Sequence, residues 1–101
     1  MTQSIEKPTL IITGASGCIG RAYAKAVASS ANLILIDRNE SELMQLCSEL
    51  SSSELCKNHP LACDLSNEDA RKDLLKQITA NHKEINGLIN NAAFTGDTNL
   101  A

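Results

Sequence analysis

Thr13-Gly14-Ala15-Ser16-Gly17-Cys18-Ile19-Gly20 decides the fold, because of what stands on either side of it. Before it, Thr9-Leu10-Ile11-Ile12-Thr13 is a short β-branched, apolar run stopped by Gly14, the pattern of a buried strand. After it, from about Cys18 to Ser30, comes an alanine-rich stretch, Arg21-Ala22-Tyr23-Ala24-Lys25-Ala26-Val27, with high helix propensity. Glycine between a strand and a helix permits a tight turn and lets the backbone approach an anion with no Cβ in the way. The N–H groups at the helix start, together with the helix dipole, then favour a pyrophosphate. A tight turn alone would not need Gly14, Gly17 and Gly20 at three-residue spacing. No Gly-Lys-Ser/Thr closes the loop, so a Walker-type nucleotide loop is disfavoured.

Outward from the loop the alternation repeats. Leu33-Ile34-Leu35-Ile36 reads as a second buried strand that ends at Asp37. Asn39 followed by Glu42 has the spacing of a helix cap with its reciprocal acid. Leu43, Leu46, Cys47 and Leu50 then recur at helical spacing and give that helix one apolar face. Pro60 precedes a weak third strand, Leu61-Ala62-Cys63, ending at Asp64. Ser66 with Asp69 resembles a helix start, and Ala70, Leu74, Leu75 and Ile78 form the buried stripe expected of that helix. Ile85 to Asn91 is the fourth strand, interrupted by Gly87.

Strands separated by helices imply a parallel sheet, since parallel neighbours need a crossover connection. Right-handed crossovers leave few topologies. The first two run one way from the first strand and the fourth strand returns to its other side, giving the order 3-2-1-4. The crevice between the first and fourth strands is the switch point where a ligand is expected. Asp37, seventeen positions beyond Gly20, stands where an acid accepts hydrogen bonds from the adenosine ribose hydroxyls and repels a 2′-phosphate. The blander reading makes it a turn residue before the Asn39 cap. Arg38 next to it is able to bind a 2′-phosphate; because Asp37 holds the strand end itself, NAD is favoured over NADP.

Composition narrows the classes further. The 101 residues fit one small domain, spanning 1–101, with ordinary apolar content and a net charge of −3. The nine lysines and arginines are scattered, and Tyr23 and Phe94 are the only aromatics, so neither a basic stripe nor a stacking platform for nucleic acid is expected. No apolar run approaches bilayer length, and the first eight residues do not read as a secretory signal. Cys18, Cys47, Cys56 and Cys63 lack metal-ligand spacing, which points to reduced thiols in a cytoplasmic protein and to no metal site.

With these residues in place, the sequence resembles the short-chain dehydrogenase/reductase family along its whole length. The resemblance rests on Thr13 to Gly20, Asp37, Ala62-Cys63-Asp64-Leu65 and Asn90-Asn91-Ala92-Ala93, the last being the most specific. It implies an α/β, Rossmann-type doubly wound parallel sheet, here truncated after about four strands. It also implies a dinucleotide partner contacted by Gly14, Ser16, Gly17, Cys18, Ile19 and Gly20 at the pyrophosphate loop and by Asp37 at the ribose. Asp64 would meet the adenine amino group, with Leu65 beside the ring. Asn91, Ala92 and Ala93 would pass the ribose and tie the fourth strand to the sheet.

The single-domain members of that family carry glycine where this chain has Cys18. The spacing through Gly17 is that of extended, epimerase-like members, so a fragment of a sugar-nucleotide epimerase or dehydratase is the alternative enzyme reading. In the family, catalysis uses a serine, an asparagine and a Tyr-x-x-x-Lys pair, with the tyrosine as general acid/base. None of these is expected here: Tyr23 is followed by lysine at position 25 and lies in the first helix. The implied reading is therefore the NAD(P)-binding, N-terminal portion of an oxidoreductase that moves hydride between NAD(P) and an alcohol or carbonyl, inactive alone. A non-catalytic dinucleotide-binding module is the other alternative. The fourth strand, left at an open edge, is a route to self-association.

Overall fold

The computed structural model describes residues 7–50, 57–81 and 84–91. Four parallel strands lie in one sheet in the order β3-β2-β1-β4. They are β1 (Thr9–Thr13), β2 (Asn32–Asp37), β3 (Asn58–Ala62) and β4 (Gly87–Asn90), with α1 (Cys18–Val27), α2 (Glu40–Glu49) and α3 (Glu68–Asn81) between them. The topology expected from the alternation is the one observed.

β2 organises the core because it is flanked on both sides. Ile34 and Ile36 point to one face of the sheet, Leu33 and Leu35 to the other, and all four are buried. That alternation follows from the two-residue period of a strand; burial on both faces explains why the sequence reads as an unbroken apolar run. Leu33 and Leu35 pack with Ile12, Ala24, Ala28, Leu43, Leu46 and Leu50 beneath α1 and α2. Ile34 and Ile36 pack with Cys63, Leu74 and Ile78 beneath α3.

α1 sits close to the sheet because its inward residues are small: Gly20, Ala24 and Ala28 fall at successive four-residue steps. It ends at Val27, three residues short of the expected Ser30, and residues 28–30 form a turn. Arg21 and Lys25 on its outer side reach Glu49 near the end of α2, at 2.9 and 3.2 Å. The expected cap on α2 is present, with Asn39 accepting the Glu42 N–H at 3.0 Å.

Four further expectations need correction. β3 begins at Asn58, earlier than Leu61, and contains Pro60. Proline is tolerated because β3 is an edge strand, where one side of the backbone has no ladder to join. α3 is capped by Asn67, whose side chain accepts the Ala70 N–H at 2.9 Å, whereas Ser66 turns back to Asp64. Leu75, placed in the buried stripe of α3, is 61% exposed; Leu74 and Ile78 carry the packing. β4 is also shorter than expected, starting at Gly87, with Ile85 outside it.

Candidate functional site

The turn from β1 into α1 is built on two glycines. Gly14 has φ of 64°, the left-handed region that a side chain disfavours. Gly20, in the first turn of α1, has no room for a Cβ: one placed there would strike the Gly14 carbonyl oxygen and lie 2.9 Å from the Ala15 Cα. Its glycine lets the helix start directly against the strand end. Gly17 differs. Its φ of −76° suits any residue, and a Cβ there would stand 3.4 Å from the Gly14 oxygen, an ordinary contact. The middle glycine of the spacing is therefore not demanded by the fold, although it serves as the α1 N-cap.

No side chain caps that helix, and its first turn carries no acid. Helical geometry leaves the first N–H groups without a carbonyl partner inside the helix, so the start of α1, at exposed Cys18 and Ile19, has donors and a positive dipole end for an anion. The loop is fastened to β2 by the Ala15 N–H, which donates to the Ile36 carbonyl at 3.1 Å.

Asp37 closes the next side. Its Oδ2 accepts the Ser16 N–H at 3.0 Å and the Ser16 hydroxyl at 2.6 Å, while Oδ1 accepts the Arg38 N–H at 2.8 Å. The end of β2 and the glycine loop, distant in sequence, are thereby one unit. The Asp37 carbonyl also accepts the Cys63 N–H at 2.8 Å, which brings the end of β3 alongside. There Asp64 is exposed and its Oδ1 accepts both the Ser66 hydroxyl (2.6 Å) and N–H (3.0 Å). Those two bonds, the hydroxyl first, hold the Asp64 carboxyl below its ordinary range, with a smaller contribution from the positive charge of Arg38. Leu65 packs partly against the core beneath α3.

The fourth strand joins through Thr13. Its hydroxyl donates to Asn90 Oδ1 at 2.8 Å and its oxygen accepts the Asn91 N–H at 2.9 Å. Asn91 Nδ2 is 3.5 Å from the Gly14 carbonyl. The described members of the expected site thus gather along the carboxyl ends of β1, β2, β3 and β4, where doubly wound sheets take ligands. Ala92 and Ala93 lie outside the described residues.

Thr13 and Asn90 join the strand ends here, and Glu42 Oε1 lies 3.3 Å from the Ser16 hydroxyl; motif reading singled out none of the three as site residues. Thr13 had a signal, being the polar end of an apolar strand; Glu42 was assigned only to its helix cap. Among the described residues no cluster of His, Cys, Asp or Glu could hold a metal ion, and no helix is long and apolar enough to cross a membrane. Burial pushes the Cys47 and Cys63 thiols above their ordinary range.

A uncapped helix start, a glycine that admits close backbone approach and an acid beside it suit the phosphate and ribose of a dinucleotide. Comparison with known proteins points the same way. The chain is 36% identical over 87 residues to a short chain dehydrogenase/reductase of Macrophomina phaseolina, covering 85% of this chain and 50% of that protein. Among solved structures, a metagenomic short-chain oxidoreductase in complex with NADP superposes with a TM-score of 0.79 at 30% identity, covering 91% of this chain and 42% of that one. The citronellol catabolism dehydrogenase of Pseudomonas aeruginosa PAO1 gives 0.77 at 31% identity, covering 87% and 37%. The chain therefore spans half or less of the length of these relatives. The family model described as short chain dehydrogenase matches residues 8–101, and the chain belongs to that family.

Proposed function

We propose that residues 1–101 form the NAD(P)-binding, N-terminal portion of a short-chain dehydrogenase/reductase. In this reading the pyrophosphate lies over the start of α1, against Gly14, Ser16, Gly17, Cys18, Ile19 and Gly20. Asp37 receives the adenosine ribose, Asp64 and Leu65 the adenine, and the segment Asn91-Ala92-Ala93 passes the ribose. The observation that carries it is the uncapped α1 N-terminus held beside Asp37 through Ser16. The cofactor itself supplies hydride chemistry when bound; the residues here bind and orient it.

NAD is the favoured cofactor, because Asp37 ends β2 and a carboxylate there repels a 2′-phosphate. Arg38 is the feature that weighs toward NADP, and the related metagenomic oxidoreductase was solved with NADP. The reaction of the complete protein is hydride transfer between the nicotinamide and an alcohol or carbonyl. The exposed Leu88 on β4 supports self-association through that strand, and the free thiols of Cys18, Cys47 and Cys63 support a cytoplasmic location.

Calorimetric titration of the full chain with NAD and NADP tests the reading. Saturable binding of NAD, tighter than NADP and weakened at least tenfold by Asp37→Ala, is expected. Binding of neither nucleotide would refute it. The extended-type alternative rests on Gly17, whose position has room for a side chain, so the structure gives it no added weight.

A further inference from the structure

Glu42 stands exposed on the first turn of α2, its backbone N–H held by the Asn39 cap. Its Oε1 lies 3.3 Å from the Ser16 hydroxyl, the group that donates to Asp37 Oδ2 at 2.6 Å. A serine hydroxyl has one proton, and the shorter contact takes it. Glu42 therefore draws little from Ser16, and the cap geometry brings a second carboxylate beside the same hydroxyl that Asp37 engages.

No basic residue among those described forms an ion pair with it. The ion pairs there join Arg21 and Lys25 to Glu49 and Lys72 to Glu68. Arg38, the basic residue beside Asp37 in sequence, is felt at Asp64, on the β3 side of the site. Negative charge thus collects by Ser16.

We propose that Glu42 is a second specificity-determining residue, acting with Asp37 to exclude a phosphate on the 2′-oxygen of the adenosine ribose. The proposal rests on the dinucleotide-binding reading above. Asp37 binds the ribose hydroxyls directly; Glu42 adds charge beside Ser16 without being needed to hold an unphosphorylated ribose. Its effect on affinity is consequently selective, and it is graded by salt.

The test is titration of the full chain and its Glu42→Gln variant with ADP-ribose and with 2′-phospho-ADP-ribose, using Glu40→Gln as a control of equal charge on the same helical turn. Glu42→Gln is expected to shift the ratio of the two affinities about fivefold toward 2′-phospho-ADP-ribose, the weight of one exposed charge at close range. Raising the salt from about 0.05 to about 0.5 M should erase most of that shift. An unchanged ratio of the two affinities, or an equal shift in Glu40→Gln, would overturn the proposal while leaving the parent reading intact. Failure of the unaltered chain to bind ADP-ribose would overturn both.

Discussion

Ser16 donates its backbone N–H and its hydroxyl to the same oxygen of Asp37, at 3.0 and 2.6 Å. A pair 21 residues apart in sequence thereby fixes the glycine loop against the end of β2. A hydrogen bond to a charged group is worth more than a neutral one, about 1.5–3 kcal/mol. Ser16→Ala should keep the N–H bond and lose the hydroxyl bond, lowering stability by about 1.5–3 kcal/mol, read from the urea midpoint. An effect no larger than that of a remote surface serine such as Ser48→Ala would show that the hydroxyl does not hold the loop.

Gly20 and Gly17 should respond differently to the same change. Gly20→Ala drives a methyl into the Gly14 and Ala15 backbone, which cannot swing aside as a side chain would. We expect a loss of about 2 kcal/mol or more in denaturant unfolding, in the range of overpacked sites. Gly17→Ala meets only an ordinary contact and should stay within about 1 kcal/mol of the parent, mostly through the N-cap preference.

Thr13→Val keeps the shape of the residue and removes the oxygen that joins β4 to β1. Asn90 Oδ1 loses its donor and the Asn91 N–H its acceptor. The expected cost is about 1–3 kcal/mol, with faster hydrogen exchange at the Asn91 amide. Unaltered exchange would mean that the β1–β4 ladder alone sets the edge.

Carboxyl groups held by hydrogen bonds make stability depend on acid. Asp64 is shifted down by Ser66, and Glu49 by its hydrogen bond to Lys25 and then by the charges around it. A folded-state value below the unfolded one means that the contribution is complete above the unfolded value and disappears as pH falls through the folded one. Stability should therefore be level near neutrality and decline below about pH 4, the ordinary carboxylate range. Both groups are exposed, so the decline is shallow. Glu49→Gln should flatten it, as followed by urea midpoints across pH.

Much of the fold was legible because the strongest signals are local. The unbroken run Leu33 to Ile36 between turn residues has one good solution, a strand covered on both faces, and the structure buries all four residues. The 3-2-1-4 order followed from crossover handedness. What escaped were features that depend on neighbours. Pro60 looked like a boundary because proline breaks a ladder, yet at the sheet edge there is none on one side. Ser66 looked like a cap because its spacing allows it, but Asp64 competes for its hydroxyl and Asn67 takes the helix. Helical period alone placed Leu75 with Leu74, while the sheet meets only one of them. At the site, glycines and acids were visible as motifs. The roles of Thr13 and Glu42 were not, since each depends on a partner in another element.

The central claim is that the adenosine and pyrophosphate of a dinucleotide lie along the strand ends against the start of α1. Backbone amide NMR of the full chain, titrated with NAD, tests it most directly. The account predicts saturable shifts concentrated at residues 14–20, with further changes at Asp37, Asp64, Leu65 and Asn91, and little change on the outer face of α3. Shifts confined to other surfaces, or none at millimolar NAD, would contradict it.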